Sequence, residues 1–134
     1  MCGIFGLLNK KQSSIIKRFD PNFVKAAFTK GYRRGPENSQ YQKITDYLEF
    51  GFHRLAINGL DEISNQPLVM NDVILVCNGE IYNYMELYDM LQSEDCEIAA
   101  KTNSDCEVII HLYCKYGITE TLRLLNGEFA FALY

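Results

Sequence analysis

Apolar residues recur along this chain at two different spacings, which predict alternating strands and helices. Continuous apolar runs at 2–8, 73–77 and 128–134 are typical of buried strands, and aromatic residues within 41–57 favour two further short strands. Asn78-Gly79 is expected to end the strand 73–77. Together with the helices described next, the pattern predicts an α+β fold in which helices cover stacked, largely antiparallel sheets.

The first predicted helix has clear end signals. Asp20 before Pro21 is typical of a helix start, and Gly31 is expected to end the helix. Its apolar positions are spaced three or four residues apart, as on one face of a helix: Phe23, Val24, Ala27 and Phe28.

Two later helices are predicted from capping boxes. Asn83 with Glu86, and Ser104 with Glu107, have the spacing in which two side chains satisfy each other's backbone N–H groups at a helix start. Gly117 is expected to stop the second of these helices, and a short helix follows it.

Composition narrows the functional classes. The chain has 134 residues, 48% hydrophobic and 22% charged, which is ordinary for one domain or part of one. Residues 1–54 carry a net charge of +6 and residues 55–134 a net charge of −10. The basic residues are scattered and lack interleaved stacking aromatics, so nucleic acid is not a predicted partner. No apolar stretch reaches the ~20 residues of a membrane span, so no membrane association is predicted.

The cysteines predict a reduced, cytoplasmic protein. There are five, an odd number, without a CxxC pair, and no signal peptide precedes them. Cys106, His111 and Cys114 do not have convincing ligand spacing, so no metal site is predicted. The cysteines other than Cys2, at 77, 96, 106 and 114, are interpreted as packing residues, and His53 and His111 as structural.

Cys2 is the first residue with candidate chemistry. A small second residue permits removal of Met1, and the thiol then shares one residue with a free α-amine. Their unperturbed pKa values, near ~8.5 and ~7.7–8.0, let the amine take the thiol proton without a histidine. Considered alone, however, a cysteine beside a chain terminus is more often a small buried hydrophobe.

Seven sequence segments favour a catalytic role for Cys2 over a packing role. They occur along the chain in this order: MCGIFG, RRGPEN, HRLAI, NQPL, VCNGEIYNY, NSDCEVIIHLY and LNGEFAFALY. Together the segments resemble the class II glutamine amidotransferases, which are N-terminal-nucleophile hydrolases. The similarity is greatest to the glutaminase domain of glutamine-hydrolysing asparagine synthetase, and it spans almost all of residues 1–134.

The resemblance implies a role for each matching residue. Cys2 would attack the side-chain amide of L-glutamine, giving a thioester and ammonia, and water would then release glutamate. Asn78, through its side chain, and Gly79, through its backbone N–H, would form the oxyanion hole. Arg54 would clamp the substrate α-carboxylate with its guanidinium fork.

Two acidic residues complete the implied site. Asp105 would bind the substrate α-ammonium from the first turn of a helix, and Glu80 would lie beside the site, mostly through its backbone. The chain also departs from the family's usual residues around the pocket. The departures are Arg33, Glu37, Phe52 in the segment Phe52-His53-Arg54-Leu55, Asn58-Gly59 and Asn103.

The resemblance also implies the wider architecture. The expected fold is a four-layer α-β-β-α sandwich, truncated at its C-terminal side, with residues 1–134 as the N-terminal part of the amidotransferase domain. The parent enzyme would amidate aspartate using ATP and Mg²⁺, which would bind in a separate synthetase domain or partner chain. No cofactor is expected in this chain. The resemblance is also compatible with a homodimer. Two alternatives stay open: a catalytically silent glutamine-binding module, and the glutaminase domain of a glucosamine-phosphate synthase type enzyme.

Overall fold

Four layers build the fold. The computed structural model describes residues 2–12, 15–17 and 19–134, and only the backbone of 10–12 and 15–17. One helix covers the outer face of a first sheet, a second sheet stacks on the first, and two further helices cover the second sheet. This arrangement confirms the predicted α+β class. Met1, whose removal the sequence predicts, lies outside the described residues.

The first sheet has the order β1-β5-β4 and is antiparallel throughout. β1 is Gly3–Leu8, β4 is Asn38–Lys43 and β5 is Leu48–Arg54. A separate antiparallel pair, β2 (Lys10–Gln12) with β3 (Ile15–Lys17), follows β1. The register places Gly3 opposite His53, so the start of β1 lies beside the end of β5.

The second sheet has the order β6-β7-β8. β6 is Leu68–Met70, β7 is Val73–Ile81 and β8 is Gly127–Leu133. β7 is mostly buried, as a continuous apolar run predicts. Contrary to prediction, Asn78-Gly79 does not end this strand, because β8 pairs with β7 as far as Ile81.

The helices begin close to the predicted residues. α1 is Pro21–Thr29, and the Asp20 carboxylate accepts hydrogen bonds from the backbone N–H groups of Asn22 (2.9 Å) and Phe23 (3.1 Å), so the predicted cap is confirmed. α2 is Tyr84–Glu94 and α3 is Val108–Leu124, preceded by a 3₁₀ turn over Asp105–Glu107. α3 is interrupted at Gly117, whose φ of 75° is not helical, as the sequence predicts.

Neither capping box forms. Asn83 turns its side chain to another segment, donating from Nδ2 to the Leu124 carbonyl (3.0 Å) and accepting at Oδ1 from the Asn126 N–H (2.9 Å). The Glu107 carboxylate accepts from backbone N–H groups at 101 and 102. Sequence spacing identified the helix starts, but tertiary contacts decided which groups these side chains bind.

Two apolar cores hold the layers together. The larger packs α2 and α3 on β7, with Leu75, Leu91 and Ile109 fully buried. The smaller lies between the two sheets and is formed by Phe50, Phe52 and Val76, with Cys2 packed against it.

Three predicted burial patterns are wrong. β1 and β8 alternate between half-buried and more exposed positions, and Leu8 is 70% exposed, because each of these strands lies at the edge of its sheet. On α1, Val24 is buried but Phe23 is 62% exposed. Cys96 and Cys114 are exposed, so they are not packing residues; Cys77 and Cys106 are buried as predicted.

Candidate active site

The predicted site residues line one pocket of about 320 Å³. It opens where the start of β1 and the end of β5 meet the second half of β7 and the first half of β8. Residues 54–58, 77–80, 104–106 and 128–130 contribute to its wall, together with Cys2 and Phe52. Positions far apart in sequence are therefore brought to one site by the stacking of the two sheets.

Cys2 lies at the pocket wall immediately before β1. Its Sγ is 3.3 Å from the Leu55 carbonyl oxygen and 3.4 Å from the Leu55 nitrogen, whose N–H points at the sulfur. The Arg34 Nε–H donates to the Cys2 carbonyl at 2.9 Å.

Gly35 lets the Arg34 turn approach this closely. A Cβ on Gly35 would overlap the backbone of His53 and Arg54 in β5. The Arg34-Gly35-Pro36 segment therefore packs directly against the strand that ends at the pocket, as a loop that orders the site should. His53 is buried there, stacked on Phe28 and bonded to Ser39, and it is structural as predicted.

Asn78 and Gly79 lie side by side in β7, within the same pocket. Gly79 faces Phe129 of β8, and a Cβ at this position would overlap the Glu128 carbonyl oxygen. A larger residue cannot be placed here without moving β8. The requirement for glycine thus comes from close strand approach, not from the hairpin turn that the dipeptide alone would indicate.

Arg54 is buried and also lines the pocket, but its guanidinium is heavily used within the chain. Nη1 donates to the Asp61 carbonyl (2.9 Å) and to Asn65 Oδ1 (2.7 Å), and Nη2 donates to the carbonyls of Asn58 (3.3 Å) and Gly59. These four bonds use both terminal amino groups, and Nε–H takes part in none of them. A bidentate clamp on a carboxylate would require the loop to release at least one bond, which the sequence did not predict.

Asp105 is 4% exposed and joins α3 to the strand that carries Asn78 and Gly79. Its Oδ2 accepts from the backbone N–H of Ile81 at 2.7 Å. The carboxylate therefore lies at the pocket wall in the 3₁₀ turn that opens the helix, where the helix dipole favours a negative charge.

Glu80 is half-buried at the pocket, directly opposite Glu128 of β8 in the strand register. Like charges at facing positions are unfavourable unless a positive group lies near them. With Asp105, these residues give the pocket three carboxylates, which suits a ligand carrying an ammonium group. Glu128 was missed from the sequence because only the β7–β8 register places it here.

Gln66 is a second residue whose role was missed. Its side-chain amide accepts from the Cys77 N–H (2.6 Å) and donates to the Cys77 carbonyl (3.0 Å), next to Asn78 in β7. The buried side chain thus takes the place of a neighbouring strand at this point. The NQPL segment indicated an ordering loop, but the amide pairing depends on the fold.

Cys77 and Cys106 also line the pocket. The hydrogen bond that the Cys106 thiol donates to Cys77, together with burial, raises the pKa of Cys106 well above its ordinary value. Cys106 is thereby kept in the neutral form, which is a poor nucleophile.

Within the described part of the chain, no group of three or more His, Cys, Asp or Glu side chains could hold a metal ion. Among the helices that the structure describes, none is long and apolar enough to cross a bilayer.

Comparison with known proteins gives a consistent picture. The family model described as a glutamine amidotransferase domain matches residues 1–134. The chain is 34% identical to an asparagine synthetase [glutamine-hydrolyzing] from Mesocricetus auratus over 99% of this chain and 22% of that protein. It is 36% identical to asparagine synthetase [glutamine-hydrolyzing] 2 from Bacillus subtilis over 100% of this chain and 17% of that protein.

A solved structure supports the same fold. The glutamine phosphoribosylpyrophosphate amidotransferase from B. subtilis, complexed with ADP and GMP, superposes with a TM-score of 0.55 and 26% identity, over 66% of this chain and 21% of that one. The chain spans about a fifth of the length of the curated relatives that it matches.

Proposed function

The chain belongs to the glutamine amidotransferase domain family, and we propose that it hydrolyses L-glutamine with Cys2 as the nucleophile. The observation that carries this proposal is the shared pocket, which brings Cys2 from one sheet to Asn78 and Gly79 from the other. A nucleophile and an oxyanion hole must meet at one carbonyl group, and the position of these three residues in one pocket supports that arrangement.

The first half-reaction forms a thioester. With Met1 removed, the α-amine of Cys2 takes the thiol proton, and Sγ bonds to the side-chain amide carbon of glutamine. The carbonyl oxygen becomes negative and accepts hydrogen bonds from the Asn78 side chain and the Gly79 N–H. The C–N bond then breaks, and the leaving nitrogen takes the proton and departs as ammonia.

The second half-reaction regenerates the thiol. Water attacks the same carbon, the α-amine accepts a proton from that water, and the C–S bond breaks to release glutamate. The proton returns to sulfur. The two halves use the same oxyanion hole, so one arrangement of donors serves both tetrahedral intermediates.

Charged side chains would orient the substrate. The Asp105 carboxylate suits the α-ammonium, with Glu80 beside the site mostly through its backbone. Arg54 suits the α-carboxylate, through its Nε–H or after partial release of the loop that it binds. The α-ammonium and the α-carboxylate of glutamine are attached to the same carbon atom. A pocket with both acidic and basic side chains is therefore complementary in charge to this substrate.

We also propose that residues 1–134 are part of a longer enzyme that passes the ammonia to aspartate. The names of the curated relatives support this, since they are glutamine-hydrolysing asparagine synthetases of which this chain matches about a fifth. ATP and Mg²⁺ would act in a synthetase domain or partner chain in the cytoplasm, and no residue of this chain is assigned to them. A homodimer is part of the same proposal.

The decisive experiment compares glutamate release by the processed chain, the Cys2→Ala variant and the Cys96→Ala variant. Cys96 is an exposed thiol and serves as the matched control. We expect hydrolysis by the processed chain and by Cys96→Ala, and none by Cys2→Ala. Intact mass spectrometry checks that Met1 is absent. Equal activity of Cys2→Ala would refute the nucleophile, and retained Met1 with no turnover would favour the silent glutamine-binding module.

A further inference from the structure

Glu107 is a fully buried carboxylate that the proposed reaction does not use. It has no solvent exposure and is not part of the pocket wall. Its Oε1 accepts from the Lys101 backbone N–H (2.7 Å), and its Oε2 accepts from the Thr102 N–H (2.6 Å). His111 Nε2 lies 3.3 Å from Oε1, one turn along α3. Burying a charged group costs folding free energy unless hydrogen-bond partners compensate for the lost water. The Glu107 carboxylate has three such partners.

The partners keep Glu107 ionised. Burial alone would raise its pKa, but the hydrogen bonds from His111 and from the backbone N–H groups of Lys101 and Thr102 outweigh burial and lower the pKa below its ordinary value. At neutral pH the carboxylate is therefore ionised, and each of its two oxygens accepts a backbone hydrogen bond. An amide could not replace it, since an amide has one acceptor oxygen and its NH₂ would face a backbone N–H.

These bonds fix the segment that leads into Asp105. Glu107 holds the backbone at 101 and 102, and Thr102 Oγ1 accepts from the Ser104 N–H at 3.1 Å. Asp105 follows immediately, with Oδ2 held by the Ile81 N–H. The approach of the chain to the pocket is therefore defined from both sides of Asp105.

We infer that Glu107 is a positioning residue that sets the Asp105 carboxylate for the α-ammonium of glutamine. This inference rests on the proposed function, in which Asp105 contacts that ammonium. Glu107 acts through the backbone of 101–104 and touches no substrate. Its loss should therefore affect ligands that carry an α-ammonium and spare those that lack one.

The test measures binding in the Cys2→Ala background, where no turnover occurs. Calorimetry compares glutamine with 5-amino-5-oxopentanoate, which keeps the amide and the carboxylate but has no α-ammonium. We expect Glu107→Gln to weaken glutamine binding roughly tenfold, the size of one charged hydrogen bond, and to change binding of the analogue by less than about twofold. Adding Asp105→Asn should cancel the effect of Glu107→Gln on glutamine.

A matched control removes a different carboxylate. Glu94 bonds to Tyr116 and Lys115 at the end of α2, away from the pocket wall. Glu94→Gln should leave the affinity for both ligands unchanged. Equal weakening of both ligands by Glu107→Gln would overturn the positioning role and leave the proposed function standing, whereas no glutamine binding by the Cys2→Ala chain itself would overturn both.

A second pair of variants decides the matter if Glu107→Gln does not fold. Lys101→Pro removes one of the N–H groups that Glu107 accepts, while Lys101→Ala removes the same exposed side chain and keeps the N–H. We expect Lys101→Pro to weaken glutamine binding relative to Lys101→Ala, with the analogue unaffected. Identical glutamine affinity in the two variants would show that the inference is wrong.

Discussion

At the scale of single residues, Gly79 shows the tightest constraint in the pocket. A Cβ there would overlap the Glu128 carbonyl oxygen and lie 2.5 Å from the Phe129 Cα, and both are backbone atoms that cannot swing away. We expect Gly79→Ala to push β8 away from β7 and to misplace the proposed oxyanion donor. Loss of one such donor typically costs ~10²–10³ in rate.

Gly6→Ala is the control for this prediction. A Cβ on Gly6, in β1, meets nothing within 4 Å, so the substitution should preserve both stability and glutamate release. Turnover and thermal unfolding of both variants make the comparison. Wild-type turnover by Gly79→Ala would contradict both the steric argument and the oxyanion assignment.

Arg54 illustrates a residue with a structural role in addition to its proposed one. Its guanidinium holds the loop 58–65 through four acceptors, which the single ammonium of a lysine cannot reproduce. We therefore expect Arg54→Lys to destabilise the fold by about 2–3 kcal/mol, as well as to weaken glutamine binding.

Chemical denaturation and calorimetry separate these two effects. Arg123→Lys, in an exposed pair with Glu120, provides the conservative control and should change neither quantity. An Arg54→Lys chain of unchanged stability would show that the loop bonds contribute little. The sequence could identify Arg54 by its motif, but not these partners, because they depend on a loop conformation that no periodicity encodes.

At the scale of elements, two loops that flank the pocket are tied to each other. The Asp61 carboxylate accepts from Ser64 Oγ (2.6 Å), from the Ser64 N–H (3.1 Å) and from Asn103 Nδ2, and the Asn103 N–H donates to Ser64 Oγ at 3.2 Å. The bonds from Ser64 and Asn103 lower the pKa of Asp61 below its ordinary value. This network joins the loop that Arg54 holds to the segment that ends at Asp105.

The sequence departures noted at Asn58-Gly59 and Asn103 meet in this network. Gly59, with a φ of 59°, has no room for a side chain because a Cβ would lie 2.8 Å from the Asn103 carbonyl carbon. The two departures therefore accommodate each other in space. In the sequence they are two unrelated departures, since 43 residues lie between Gly59 and Asn103.

A double-mutant comparison tests whether this tie matters for binding. If the Asp61–Asn103 bond couples the loops, Asp61→Asn and Asn103→Ala should each weaken glutamine binding. The double variant should then bind glutamine as tightly as the single variant with the lower affinity. Asp95→Asn, an exposed site at the end of α2, should combine additively with Asn103→Ala. Additive losses for Asp61 and Asn103 would mean that the two loops act independently.

Elements were predicted best where apolar periodicity decides them. α1 and β5 follow from local pattern and end signals, and the start of α3 at the Ser104 segment is placed correctly. The end of β7 was wrong because its last residues are extended by pairing with β8, a partner almost fifty residues later. The exposure of β1 and β8 was wrong because a strand's position in its sheet depends on topology, which apolar runs do not reveal.

At the scale of the whole molecule, the pocket exists because two sheets stack. Cys2 precedes a strand of the first sheet, Asn78 and Gly79 lie in the second, and Phe52 and Val76 fill the space between. The distance between the proposed nucleophile and oxyanion hole is therefore set by the inter-sheet core. Close-packed interiors transmit small changes in volume, so this core should influence turnover as well as stability.

Val76→Ala tests this dependence, with Val24→Ala as the matched control. Val76 is fully buried between the sheets, whereas Val24 is the buried residue of α1 and lies outside the inter-sheet core. Each truncation should cost about 2 kcal/mol of folding free energy from lost burial and the cavity left behind. Only Val76→Ala is expected to lower glutamate turnover beyond what its unfolded fraction explains, since only that cavity lets the two halves of the site shift relative to each other. Turnover measured well below each variant's unfolding temperature makes the comparison, and equal turnover in the two variants would show that the inter-sheet core supports the fold without setting the geometry of the site.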